Sequence, residues 1–86
     1  MQYREEEIGE IDHYYGQPKV AGIYVKHGHL KVGDRIHIKG HTTDMETEVT
    51  SMQVNHVDVN EAGIGAHVGV PVEDKVRMHD KVYIMH

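Results

Sequence analysis

Short apolar runs rich in valine and isoleucine, separated by glycine-containing turns, recur along the whole chain and constrain its fold more than any other feature. Such β-branched side chains suit the pleated, half-buried surface of a sheet and lose rotamer freedom in a helix. The sequence has no Phe and no Trp, and its single Leu is Leu30. Runs that recur every ten residues or so, with turn residues between them, are typical of β-sandwiches and β-barrels.

Alternation within these runs indicates which side chains face the interior. In the run 20–25, Ala21, Ile23 and Val25 fall on one face, because successive side chains of a strand point to opposite faces. The run RIHIK at 35–39 alternates in the same way, with its two isoleucines inward. The Gly-Asp pair just before it favours a tight turn that starts this strand.

We therefore predict an all-β fold, namely a small closed antiparallel β-barrel of Greek-key type with about six to seven strands. Closure is favoured over an open sheet because it removes exposed strand edges. A chain of 86 residues is enough for one domain and too short for two. We assign residues 8–86 to a single β-barrel domain and residues 1–7, MQYREEE, to a flexible acidic N-terminal tail.

The sequence lacks the motifs of the common catalytic and nucleotide-binding sites. It contains no GxxxxGK[ST], GxSxG, HExxH or GxGxxG pattern, it has no Cys, and Ser51 is its only serine. We predict that the chain is not an enzyme, needs no cofactor and binds no nucleotide by itself. No apolar run approaches the roughly 18 residues of a membrane span, and the charged N-terminus is unlike a signal peptide, so we predict a cytoplasmic protein without membrane contact.

Nine histidines make the chain rich in titratable side chains, and one pair has chelating spacing. His27 and His29 flank Gly28 and could hold Zn²⁺ or Ni²⁺, but a solvated turn between strands accounts for the same residues. We favour the turn and predict no metal site. His37 and His41 flank another turn and could face water together.

Two pairs of neighbouring residues in the first run are predicted to separate across the strand. Asp12 and His13 are adjacent, so alternation points their side chains to opposite faces and argues against a catalytic pair. Tyr14 and Tyr15 separate in the same way, and one of the two rings is expected in the core.

The order of four segments resembles domain 2, the β-barrel, of elongation factor Tu and related translational GTPases. LKVGDRIHIKG at 30–40 resembles one conserved turn and strand, VTSMQ at 49–53 the next strand, EAGIGAHVGV at 61–70 a second turn and strand, and MHDKV at 78–82 the closing turn. The likeness covers about residues 8–85. It implies a translation-protein barrel of the domain 2 type in a stand-alone elongation factor-like protein without a G domain.

The resemblance also implies a binding role and a set of contact positions. In the relatives this barrel holds the aminoacyl end of tRNA or touches ribosomal RNA, and it packs on the G domain. The contact positions carried over onto this sequence are Glu10, Asp12, Gln53, His56 and His67. Asp12 stands where the family has an aromatic residue and His56 where it has a basic one, which lowers the stacking and positive character of the surface.

Three functions follow as hypotheses. The first is a non-catalytic binding module that contacts tRNA, ribosomal RNA or another translation-associated partner. The alternative is a protein-interaction domain that docks on a separate GTPase or enzyme and has no nucleic-acid role. A net charge of −5 with scattered Lys and Arg suits a basic protein better than a phosphate backbone. A metal-binding or pH-sensing role of the histidines is the third.

Overall fold

The computed structural model describes residues 4–86 and shows an all-β chain. No helix occurs among these residues, so no helix is long and apolar enough to cross a membrane. The strands, in chain order, are β1 (Glu5–Gly16), β2 (Lys19–Val25), β3 (Leu30–Lys31), β4 (Arg35–Lys39), β5 (Asp44–Glu48), β6 (Met52–Val54), β7 (Val57–Val59), β8 (Glu61–Ala62), β9 (His67–Pro71) and β10 (Lys81–Met85).

Eight of these strands form one antiparallel sheet in the order β5-β4-β10-β1-β2-β9-β6-β7, and β3 pairs with β8 in a separate two-stranded ribbon. The predicted all-β antiparallel class is confirmed. The strands are shorter and more numerous than predicted, since the chain reverses at Asn55 and His56 and splits one region into separate strands. Closure of the sheet into a Greek-key barrel stays a prediction.

The core lies on the face predicted from alternation. Ala21, Ile23 and Val25 are fully buried, and so are Ile36 and Ile38 on β4. Removing such a Val or Ile side chain from water on folding contributes roughly 1.5–3 kcal/mol to the stability of the folded chain. The fully buried side chains thus come from strands far apart in sequence, and their burial fixes the register of the sheet.

The predicted flexible tail is partly wrong. Glu5, Glu6 and Glu7 belong to β1 and pair with Met85, Ile84 and Tyr83 of β10. The acidic composition favours a solvated tail, and the side chains are exposed, but the backbone completes the ladder with β10. Residues 1–3 lie outside the described residues.

Strand β1 is bulged in two places. Its register shifts between Glu7 and Gly9 against β10, and between Ile11 and His13 against β2. At the first bulge the backbone of β2 comes so close that a Cβ on Gly9 would lie 2.0 Å from the carbonyl oxygen of Tyr24. Only glycine permits this approach, since the obstacle is backbone and cannot rotate away.

We predict that Gly9→Ala destabilises the fold by about 2–3 kcal/mol, because the added methyl group forces β1 and β2 apart. Gly16→Ala is the matched control, since nothing lies within 4 Å of the Cβ position there and the change should stay within about 0.5 kcal/mol. Urea unfolding followed by circular dichroism measures both. Equal stability of the two variants would show that β1 does not approach β2 this closely.

Candidate functional site

The second bulge of β1 brings Asp12 and His13 to one side of the sheet. A Cβ placed on Gly22 of β2 would lie 2.6 Å from Asp12 Oδ1 and 3.4 Å from His13 Cβ, so both side chains flank the same point. The predicted placement on opposite faces is therefore wrong. The cause is the unpaired Asp12, because an extra residue in one strand interrupts the alternation of side chains.

These side chains line a surface groove of about 630 Å³ between β1, β2 and β9 and the turn that joins β6 to β7. Gly22 and Gly69 are directly paired between β2 and β9, so part of the groove carries bare backbone. Val20 and Pro18 add apolar surface at one end. The groove therefore exists because two facing positions of adjacent strands have no side chain.

An Asp–His pair forms one wall of the groove. His67 Nδ1 donates a hydrogen bond to Asp12 Oδ2 over 2.6 Å, and the His67 ring stacks on Tyr24 with centroids 4.7 Å apart and planes 22° apart. Tyr24 and His67 are partners in the β2–β9 register, which explains the stacking. Nε2 of His67 makes no hydrogen bond within residues 4–86.

Two aromatic rings form another part of the wall. The His13 and Tyr15 rings lie with centroids 4.3 Å apart at an angle of 57°, and Tyr15 is 54% exposed. Tyr14 packs against the core instead, which confirms that one ring of the tyrosine pair is a core residue. An exposed tyrosine on a groove wall is a ready stacking surface.

The β6–β7 turn closes the groove on the far side. Asn55 and His56 both have left-handed backbone conformations, with φ of 52° and 65°, as a two-residue hairpin turn requires. Gln53, just before the turn, donates its Nε2 hydrogen to Asp58 Oδ1 over 3.1 Å and pairs through its backbone with Gly69. Three residues of this hairpin, Gln53, Asn55 and His56, line the groove.

The five predicted contact residues divide into two groups. Asp12, Gln53, His56 and His67 all line the groove, although they come from three separate parts of the chain, namely β1, the β6–β7 hairpin and β9. Glu10 does not. It lies along β1 away from the lining, in an ion pair with Lys26.

The charge of Glu10 is balanced locally. Its carboxylate lies 3.0 Å from Lys26 Nζ and 3.8 Å from Lys81 Nζ. The hydrogen bond from Lys26, reinforced by the charges of both lysines, lowers the pKa of Glu10 and outweighs a partial loss of hydration. Glu10 is thus paired with two lysines, Lys26 after β2 and Lys81 on β10.

His13, Tyr15 and the glycine pair were missed as site residues. Strict alternation predicts that His13 faces away from Asp12, and a sequence gives no direct sign of where a strand will bulge. Gly22 and Gly69, each inside a Val-rich strand, were the available signal, since a glycine within a strand marks close backbone approach or an open surface.

The groove is acidic rather than basic. Asp12 is its only carboxylate, and no Lys or Arg is among the lining residues. Within residues 4–86, no group of three or more His, Asp or Glu side chains is placed to hold a metal ion. The His27–Gly28–His29 segment forms an exposed bend in which Gly28 has a φ of 64°, as the turn interpretation expects.

His37 lies between two carboxylates outside the groove lining, which corrects the expectation that its side chain faces water. The His37 side chain is 11% exposed, its Nδ1 lies 2.8 Å from Glu5 Oε2, and its Nε2 faces Asp44 Oδ1. Both ring nitrogens must donate to satisfy two carboxylates, which requires the imidazolium form. The hydrogen bond to Asp44, together with that to Glu5, raises the pKa of His37 against the opposing effect of burial.

Comparison with known proteins identifies the family of this chain. Residues 19–75 match the family described as elongation factor Tu domain 2. The chain belongs to this family. The residues matched span β2 to β9 and thus include most of the groove.

The curated relatives are larger proteins with other names. The chain is 45% identical over 84 residues to an uncharacterized protease of Methanocaldococcus jannaschii, a match that covers 96% of this chain and 20% of the protease. It is 32% identical over 77 residues to a collagenase of Porphyromonas gingivalis, covering 88% of this chain and 21% of the collagenase. The chain thus spans about a fifth of these relatives, which are not the stand-alone translation factors that the resemblance implied.

A solved structure shows the same fold. The C-terminal domain of a Geobacillus thermoleovorans protein assigned to the U32 peptidases superposes with a TM-score of 0.84, covering 92% of this chain and 91% of that domain. The sequence identity is 13%, so this likeness speaks for the fold alone. The domain 2 fold therefore occurs outside translation factors, at the end of a peptidase-family chain.

We predict that His37 stabilises the fold most at low pH. Its pKa is raised on folding, so its contribution is fully present below the unfolded value of about 6.5 and is lost as the pH rises through the folded value. The unfolding free energies of wild type and His37→Gln should differ by about 1–2 kcal/mol near pH 6 and by less near pH 9. Urea titrations across this range, with the exposed His27→Gln as control, measure the difference. A gap that does not narrow would mean that the ring is not charged in the fold.

Proposed function

We propose that this chain is a non-catalytic accessory β-domain that acts together with a larger peptidase-type protein. The observation that carries the proposal is the match at 45% identity over nearly the whole of this chain, which accounts for only a fifth of a named protease. A segment that small is an added domain rather than the catalytic body. The fold shared with the C-terminal domain of a U32 peptidase-family protein supports the same role.

The groove chemistry supports a non-catalytic role. Nucleophilic hydrolysis needs an activated hydroxyl or thiol beside a base. The His67–Asp12 pair could serve as the base, but no Ser, Thr or Cys lies among the groove residues. Ser51, the only serine, is exposed just before β6 and does not line the groove. Binding is the chemistry that this surface best supports.

The charge of the groove favours a protein partner. A surface that follows a phosphate backbone needs clustered Lys and Arg, and the groove lining has neither. The chain as a whole carries a net charge of −5. Electrostatic complementarity therefore favours a partner with a basic or neutral surface.

RNA contact is the second candidate, and one observation favours it. Four of the five positions that the family resemblance assigned to tRNA contact share the groove, namely Asp12, Gln53, His56 and His67. Stacking of bases on Tyr15 and the histidine rings would replace phosphate contacts as the source of affinity. Such binding would depend less on salt than ordinary RNA binding does.

We predict that the chain, used as bait in a native lysate of its source organism, recovers a U32-type peptidase-family protein in near-equal amounts. The bait alone should show no hydrolysis of labelled casein above buffer, because no Ser, Thr or Cys lies beside the His67–Asp12 pair in the groove lining. Mass spectrometry and RNA sequencing of the same eluates provide the measurement. Bait carrying Gly16→Ala, a change to an open position, serves as the matched control for recovery.

Two results would count against the proposal. Recovery of RNA without any peptidase-family protein would favour the second candidate, and a salt titration of that binding would then test its electrostatic share. Casein hydrolysis by the purified chain would show that the domain is itself catalytic.

A further inference from the structure

We propose that the groove binds the guanidinium group of an arginine side chain presented by a protein partner. This inference deepens the proposed function and depends on that proposal only in assuming that the partner is a protein. It is carried by the arrangement of one free carboxylate oxygen, two aromatic rings and an unopposed amide oxygen around a groove whose lining has no Lys or Arg.

The carboxylate of Asp12 provides the charge. Its Oδ2 accepts the hydrogen bond from His67 Nδ1, while Oδ1 has no hydrogen-bond partner among residues 4–86. Oδ1 lies above Gly22, where a Cβ would come within 2.6 Å of it, so the missing side chain makes room for the carboxylate. The Asp12 side chain is 34% exposed and lines the groove.

His67 orients this carboxylate. The ring is held from two sides, by the bond to Asp12 and by stacking on Tyr24 at 4.7 Å. With Oδ2 fixed in this way, Oδ1 keeps a defined position in the groove. A preorganised acceptor loses little conformational entropy when it binds, which favours recognition of a single group.

The aromatic rings select a planar cation. Tyr15 and His13 meet at 57° with centroids 4.3 Å apart and form an open corner on the same side of the sheet as Asp12. Guanidinium groups stack on aromatic faces and donate in their own plane, whereas an ammonium is a compact, strongly hydrated point charge. This combination of a ring face and a carboxylate edge fits arginine better than lysine.

The rest of the groove lining offers acceptors and contains no Lys or Arg. Gln53 uses its Nε2 hydrogen on Asp58, which leaves Oε1 as an acceptor beside the groove. Lys26 pairs with Glu10, and Lys19 Nζ donates to the carbonyl oxygen of Glu73, so both ammonium groups have partners outside the groove lining. A planar donor with several N–H groups is the complement of such a surface.

The test uses N-acetyl-arginine N-methylamide as the probe and the citrulline analogue as its neutral isostere. Backbone amide shifts of the isotope-labelled 86-residue chain report where each one binds. We expect the arginine compound to shift residues 12, 13, 22 and 69 saturably in the millimolar range, and the citrulline compound to bind at least about fivefold more weakly.

Variants assign the effect to the groove. Asp12→Asn should weaken arginine binding about fivefold or more, and Tyr15→Ala, at an exposed ring, should weaken it independently without unfolding the chain. Asp74→Asn removes the same charge from an exposed loop outside the groove and should leave the affinity unchanged. Circular dichroism of each variant confirms that the fold is retained.

Three outcomes would overturn the inference: equal binding of arginine and citrulline compounds, shifts confined to residues outside the groove, or equal weakening by Asp12→Asn and Asp74→Asn. An oligoadenylate that shifts the same amides more strongly than the arginine compound would assign the groove to RNA and overturn it as well. If the groove does not bind the arginine compound but the bait recovers a peptidase-family protein, only this inference fails and the proposed function stands. If the groove binds the arginine compound but the bait recovers no peptidase-family protein, the proposed function fails and the arginine site stands.

Discussion

The pairing of β1 with its two neighbours is the constraint on which the rest of the structure depends. β1 lies between β10 and β2 and joins the two halves of the eight-stranded sheet. Its two bulges fall on different partners, one against β10 near Gly9 and one against β2 at Asp12. Bulges increase the local twist and bend the strand. The same strand therefore sets the curvature around the core and the direction of the side chains outside it.

The groove follows from that geometry and from a pair of absent side chains. After the bulge, His13 takes the place opposite Gly22, and Gly22 in turn faces Gly69 on β9. A larger residue at Gly22 would meet the Asp12 carboxylate, so the position of the charge and the openness of the groove have one cause. The core beneath is unaffected, because Ile11 and Ile23 remain paired and buried immediately before the bulge. The buried core residue Ile11 and the groove residue Asp12 are thus adjacent along β1.

Sequence patterns predicted the parts of this structure that depend on alternation. The buried face of β2 and the isoleucines of β4 follow from period two, and so does the core position of Tyr14. The failures lie where alternation is interrupted or where charge is buried. The unpaired Asp12 depends on how two strands match in length across the sheet, and His37 is buried because Glu5 and Asp44 arrive from other strands to hold its charge. Both depend on long-range contacts that no local window of sequence contains.

The family resemblance implied a set of contact positions, and the structure places most of them together. Four of the five transferred positions meet in one groove, because the fold fixes where these strands and turns lie relative to each other. The side chains at those positions are this chain's own, namely Asp12, Gln53, His56 and His67, in a lining without Lys or Arg. A fold hosts many functions, and the function is decided by the residues of its site. The acidic groove therefore carries more weight than the shared fold in deciding what the domain binds, and it favours a cation on a protein over the phosphates of RNA.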